Sequence, residues 1–208
     1  MASAAAIVVN VVCTGNICRS PCAEVVLRSI LERAALSHLV VVESSGTHGH
    51  TGWAADPRSC ASAAARGYDL SAHRASALGA SGLARADLLL ALDASHLADM
   101  RRMAPSALHH KLRMLTAFAR HCPAPAQQRA AARWANADIE DPYYEDAEAF
   151  ERVLDGIECA AEGFVGAVSR VQQQTSGGRA LEGPPLAQAL LALLDADRAA
   201  AAAPAARG

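Results

Sequence analysis

Two cysteines, an arginine, an asparagine and a serine crowd into one short string, VCTGNICRSP at residues 12–21, directly after an apolar β-branched run. Cys13 and Arg19 stand six positions apart at the two ends of its loop. A thiolate is a strong nucleophile, and it is favoured beside a helix N-terminus and a guanidinium. The guanidinium is a planar fork that holds two oxygens of a phosphoryl group and follows them into a trigonal bipyramidal transition state, which an ammonium does less well. A loop that turns from strand into helix also aims successive backbone N–H groups inward, a nest for an anion to which the helix dipole adds partial positive charge. The pattern therefore permits nucleophilic displacement at a bound oxyanion. On its own, Cys-x5-Arg fits equally well a cysteine buried as a small hydrophobe.

Such a site needs a strand that ends in the loop and a helix that starts from it. Ile7–Val12 is the strand, and Ala23–Leu36 carries apolar residues at helical spacing (Val26, Leu27, Ile30, Leu31) after Ser20-Pro21, a pair suited to a first helical turn. Further β-branched or apolar runs at Leu39–Val42, Asp87–Leu92 and Lys111–Leu115 alternate with helix-compatible stretches near 58–66 and 94–103. This alternation predicts an α/β fold: a single doubly wound domain with a four-stranded parallel sheet, helices on both faces and the anion loop after the first strand. In such sheets ligands bind beyond the carboxyl ends of the strands, where Cys13–Arg19 falls. Asp146 is placed to cap a long last helix whose apolar face runs from Phe150 through Val168, closing a domain at 1–174. Residues 175–208 turn to Gly, Pro and Ala and are expected to form a mostly disordered tail, although 186–198 has the pattern of an amphipathic helix. His121–Trp134 reads as a surface insertion.

At 208 residues and 52% hydrophobic, the chain supports one full core. A net charge of −2 with scattered basic residues argues against nucleic acid and anionic membrane as partners. No stretch has the length of a membrane-spanning helix and the N-terminus lacks a leader pattern, so a cytoplasmic location is expected. The six cysteines show no zinc spacing; Cys22, Cys60, Cys122 and Cys159 read as structural.

The whole string C-T-G-N-I-C-R-S-P resembles the phosphate-binding loop of the low-molecular-weight protein tyrosine phosphatases. The resemblance implies hydrolysis of phosphotyrosine in proteins through a cysteinyl-phosphate, with no metal or cofactor. Cys13 is then the nucleophile and Arg19 the clamp, while Thr14, Gly15, Asn16, Ile17, Cys18 and Ser20 complete the loop. Downstream, D-P-Y-Y at 141–144 resembles the family's acid loop, so Asp141 takes the role of general acid and then of base for water. Tyr143 and Tyr144 take the place of pocket walls. The family ties its loop asparagine to two serines and a histidine, which places Ser20, Ser44 and His73 around Asn16, and Asp93 matches an aspartate near the loop. The resemblance covers about residues 6–172 and departs in the substrate loop, THGHTGWAADPR, where His50 stands near the usual aromatic and Trp53 is displaced. Ser76 stands where the family usually has an arginine, and the segment before Asp141 is longer than usual.

Other chemistries on this scaffold are arsenate reduction, which needs relay cysteines that 73–87 lacks, and arginine-phosphate hydrolysis, whose pattern has threonine in place of Ile17. A silent phosphopeptide-binding module would need neither Cys13 nor Asp141. The expected partner is a tyrosine-phosphorylated protein; in bacteria the family often serves a tyrosine kinase of polysaccharide export. Cys18, on the same loop as Cys13, is a candidate to capture an oxidised Cys13 as a disulfide.

Overall fold

In the computed structural model, which describes residues 6–122, 132–174 and 180–202, the four apolar runs become strands β1 (Ile7–Cys13), β2 (Val40–Gly46), β3 (Leu88–Ala91) and β4 (Leu112–Met114). They pair in parallel in the order β2-β1-β3-β4. The chain leaves β1 towards β2 on one side and later returns to β3 on the other. The crevice of this doubly wound sheet therefore opens at the carboxyl end of β1.

Among the described residues, the sheet is covered by helices α1 (Arg19–Arg33), α2 (Pro57–Ala65), α3 (Ala80–Arg85), α4 (Ala94–Met103), α5 (Ala147–Gln174) and α6 (Gly183–Ala202). The alternation of side chains along β1 decides which helices meet which face. Ile7, Val9, Val11 and Cys13 point into a core shared with Leu88 and Leu90 of β3, Val26 and Leu27 of α1, and Ile157, Phe164 and Val168 of α5. Val12, Leu89 and Ala91 point the other way, onto Leu83 of α3 and Met100 of α4. Asp146 does cap α5, its Oδ1 accepting from the Ala149 amide at 3.1 Å.

Two element bounds differ from the sequence reading in ways that matter for the site. The second strand runs past Val42 to Gly46 because its polar end has buried partners: Ser45 Oγ donates to Asn10 Oδ1 at 2.8 Å. Helix α1 begins at Arg19, so the arginine is the first residue of the helix.

The expected disordered tail is corrected by the structure. Residues 183–202 form α6, and Leu186, Ala187, Leu190 and Leu194 enter the main core. Leucines at intervals of four make one apolar stripe, and Gly183, Pro184 and Pro185 form the first helical turn. Gln172 of α5 clasps Leu181 through Nε2 and Oε1, at 2.6 and 2.9 Å from its carbonyl and amide. Two acids fasten the far end: Asp195 lies 2.7 Å from Arg113 Nη2 and Asp197 lies 2.8 Å from His121 Nε2. The expected surface insertion is also altered at its start, since His121 and Cys122 are buried; its residues 123–131 lie outside the described residues. Among the described residues, no helix is long and apolar enough to cross a membrane.

Candidate active site

The loop between β1 and α1 carries Cys13, the candidate nucleophile, at its floor. Cys13 is 3% exposed, and its sulfur lies 3.0 Å from Ser20 Oγ and 3.3 Å from the backbone nitrogen of Asn16. A hydroxyl and a backbone N–H thus face the sulfur. Asn16 sits at φ +56°, the left-handed region that asparagine tolerates because its amide bonds locally. Its Nδ2 donates to Ser20 Oγ and Ser44 Oγ, both at 2.9 Å, and its Oδ1 accepts from the Ser76 amide at 2.7 Å. His73 Nε2 donates to the Asn16 carbonyl at 2.8 Å. Ser20, Ser44 and His73 thus converge on Asn16, and Ser44 Oγ in turn makes a short contact to the Glu24 carboxylate. Ser76 thus meets Asn16 through its backbone, while its Oγ donates to the Ser44 carbonyl at 3.2 Å.

Arg19 is 3% exposed, a buried guanidinium that needs partners on every side. Nη1 donates to Asp93 Oδ2 at 2.6 Å and to the Ile139 carbonyl at 3.0 Å. Nη2 donates to Asp141 Oδ2 at 2.7 Å. Asp93 also caps α4, its Oδ1 accepting from the His96 amide at 2.8 Å. Burial alone would push its carboxyl up, but the donors of His96 and Ser95 hold it well below the usual carboxylate range. The negative charge against Arg19 is therefore permanent.

Asp141 reaches the site from the loop before α5, and Pro142 follows it. Its Oδ1 accepts from the Tyr143 amide at 3.1 Å, an Asx turn that aims the other oxygen at Arg19. Arg58 ties this loop to α2: its Nη1 donates to the Tyr143 carbonyl at 2.8 Å while Nε and Nη2 grip Asp56 at 3.1 and 2.9 Å.

These groups border one cavity of about 320 Å³, lined by Cys13, Thr14, Gly15, Ile17, Cys18, Arg19, His50, Asp141, Tyr143 and Tyr144. His50, expected near the place of the family's aromatic, does face the cavity; its ring stacks on Trp53 with centroids 4.6 Å apart, so the displaced tryptophan backs the wall. Gly15 makes room for it, as a Cβ there would sit 3.0 Å from His50 Cδ2. Tyr143 and Tyr144 meet edge to face at 5.0 Å, with Tyr144 almost fully exposed at the rim. Clefts of about 500 Å³ lie elsewhere, one behind the loop among Glu24, Arg28 and Arg85, but it holds no cysteine.

One neighbour of the site escaped the sequence reading. His96, on the first turn of α4, is 1% exposed and lies against both Thr14 and Arg19. Its only signal in the sequence is the spacing Asp93-x-x-His96, which sets the two side chains on the same turn of a helix.

A cysteine, an arginine and an acid around one anion-sized cavity, on a loop braced by an asparagine, can hold a phosphoryl group and displace its leaving group. Comparison with known proteins agrees with that geometry. The family model "low molecular weight phosphotyrosine protein phosphatase" matches residues 8–175. A low molecular weight protein-tyrosine-phosphatase of Streptomyces coelicolor is 44% identical over 159 residues, covering 76% of this chain and 90% of that protein. The low molecular weight protein-tyrosine phosphatase A of Mycobacterium tuberculosis is 40% identical over 157 residues, covering 75% and 88%. A tyrosine phosphatase structure from Erwinia amylovora superposes with a TM-score of 0.63 at 32% identity, over 82% of this chain and 98% of that one. With most of its length matched by the family model and by these proteins, the chain belongs to the low molecular weight phosphotyrosine protein phosphatase family.

Proposed function

We propose that the chain hydrolyses phosphotyrosine in proteins, with Cys13 as nucleophile, Arg19 as phosphoryl clamp and Asp141 as proton donor. The observation that carries this reading is the convergence of all three on one cavity, with Arg19 and Asp141 2.7 Å apart across the mouth of the loop. Asp141 sits against Arg19 Nη2 as a phosphoryl oxygen would. An incoming phosphate takes the guanidinium and the loop amides and releases the Asp141 carboxyl to face the leaving oxygen. Cys13 sulfur then attacks phosphorus in line, forming an S–P bond as the O–P bond to the phenol breaks, and the leaving oxygen takes the proton from Asp141. In the second step Asp141 accepts a proton from water, whose oxygen attacks phosphorus. The S–P bond breaks, inorganic phosphate is released and Cys13 returns as thiolate. Arg19 and the loop amides stabilise the equatorial oxygens in both steps.

The buried position of Cys13 favours a long flat arm over the short side chain of phosphoserine, and Ile17 and His50 supply apolar wall for the ring. A tyrosine-phosphorylated protein is the substrate class, and a bacterial tyrosine kinase is the finer candidate within it. Six cysteines without a disulfide among them support a reducing compartment such as the cytoplasm. The test compares peptides carrying phosphotyrosine, phosphoserine or phosphoarginine, with arsenate reduction as a control. Phosphotyrosine is expected to be turned over at least about a hundredfold faster than the others, since a pocket that fits only one arm discriminates by several kcal/mol. Equal rates, or preference for phosphoarginine, would overturn the reading.

A further inference from the structure

Arg19 is held by more than its phosphate-binding role requires, and the surplus partner is a histidine. His96 Nε2 lies 2.9 Å from Thr14 Oγ1 and 3.4 Å from Arg19 Nη2. Its Nδ1 lies 3.0 Å from Asp93 Oδ1, close in distance though out of line for a hydrogen bond. These neighbours choose the tautomer. A guanidinium has no lone pair to offer, so the nitrogen facing Arg19 presents its own, and a carboxylate beside Nδ1 favours the proton there. Nε2 then accepts from the Thr14 hydroxyl and from Arg19 Nη2.

We propose that His96 is a positioning residue of the phosphate site: as the Nδ1–H tautomer it accepts from both Thr14 and Arg19 and so locks the loop, the arginine and α4 into one preset unit. This inference rests on the phosphatase reading. Of the partners of Arg19, Asp93 and the Ile139 carbonyl hold Nη1, while His96 and Asp141 share Nη2. Asp141 is 53% exposed on a loop, whereas His96 is buried on a helix. When a phosphoryl group displaces Asp141, the plane of the guanidinium is kept by Asp93 and His96, so the clamp is organised before the reaction begins. Thr14 is the residue after the nucleophile, and its bond to α4 fixes the peptide that carries Cys13. The histidine touches no substrate atom and acts through Thr14 and Arg19.

Three measurements test this. In the intact protein, nitrogen-15 correlation spectra of the ring are expected to place the His96 proton on Nδ1; a proton on Nε2 would overturn the proposal without any variant. His96→Phe fills the same space without a lone pair, and is expected to lower kcat on an aryl phosphate about ten- to a hundredfold and to raise the inhibition constant of inorganic phosphate, as expected for a lost hydrogen bond to a charged group. Thr14→Val removes the other end of the bond at an exposed position that does not threaten folding. It is expected to lower kcat in part, and the double variant to lose less than the product of the two single losses. Phosphate inhibition and kcat within about twofold of wild type in both variants would overturn the proposal, taken against the tenfold floor above. Failure of the wild-type chain to hydrolyse any aryl phosphate would instead overturn the phosphatase reading, and the ring spectrum would still report on His96.

Discussion

Asp141 and Arg19 form an ion pair at 2.7 Å, which makes each a test of the other. Asp141→Asn keeps the Asx turn but supplies no proton, so turnover of phosphotyrosine is expected to fall about a hundred- to ten-thousandfold, with a smaller loss for an acidic phenol whose leaving oxygen needs no proton. Steady-state rates on the two substrates check this, and equal losses would remove Asp141 from the acid role. Cys13→Ser is expected to abolish turnover while inorganic phosphate or vanadate still binds, because the amides and Arg19 remain. Full activity in that variant would sink the covalent mechanism. Cys18 lines the same cavity with its thiol pushed up to about 12, chiefly by burial and further by Asp56. A thiol held protonated in this way is slow to react with peroxide itself, so any role of Cys18 lies in capturing an oxidised Cys13. Peroxide followed by a thiol reductant is expected to restore the parent, whose intact mass first falls by two hydrogens, but not Cys18→Ser. Equal recovery in both would make Cys18 packing only.

At the scale of elements, the loop is shaped from outside by the end of β2. Gly46 pairs with Cys13 across the sheet, and a Cβ there would stand 2.5 Å from the Thr14 carbonyl oxygen and 2.8 Å from Gly49 Cα. Both are backbone atoms that cannot turn away. Gly46→Ala is therefore expected to move the loop and to weaken phosphate inhibition and turnover together, by about tenfold or more, as for other misplacements of a reacting group. Gly82→Ala, inside α3, where the nearest atom is Leu78 Cδ1 at 3.4 Å, is expected to leave both unchanged. Phosphate inhibition constants for the two variants decide the matter.

For the whole molecule, α6 is a structural part of the core although it lies beyond the segment shared with the family model. Leu190 is fully buried, and Leu190→Ala is expected to cost about 2–5 kcal/mol by denaturant unfolding. Removal of residues 175–208 should lower the midpoint at least as far, while the site, whose cavity takes no residue from α6, keeps its geometry. A midpoint unchanged on truncation would show that α6 does not dock. The same helix sets a pH dependence through His121, whose imidazole is held below its ordinary value by burial and by Arg170 and Arg120, effects that outweigh Asp197. With the folded value depressed, the unfolded chain takes up the proton first. Stability from this group is therefore fully present above about pH 6.5 and declines as pH falls below it. His121→Gln is expected to flatten that decline in denaturation curves taken at neutral and mildly acidic pH.

The sequence by itself determined the alternation of strands and helices and the anion loop at the first strand's end, and it singled out Cys13, Arg19 and Asp141 as the candidate reacting groups. All of these are legible because they rest on local periodicity, on short spacings or on a continuous string. The expected grouping of Ser20, Ser44 and His73 about Asn16 came from the string's resemblance and is matched by hydrogen bonds of 2.8–2.9 Å. Only the tertiary structure decided that Arg19 rests on Asp141, that His96 stands behind both Arg19 and Thr14, that His50 faces the cavity with Trp53 behind it, and that 183–202 docks on the core. These contacts join residues 77 to 122 positions apart in the case of Arg19, and no local pattern records which face of a helix a distant loop will meet. Gly and Pro before α6 read as a linker for the same reason. Composition tells how freely a segment bends, and only packing tells whether its leucines find a groove.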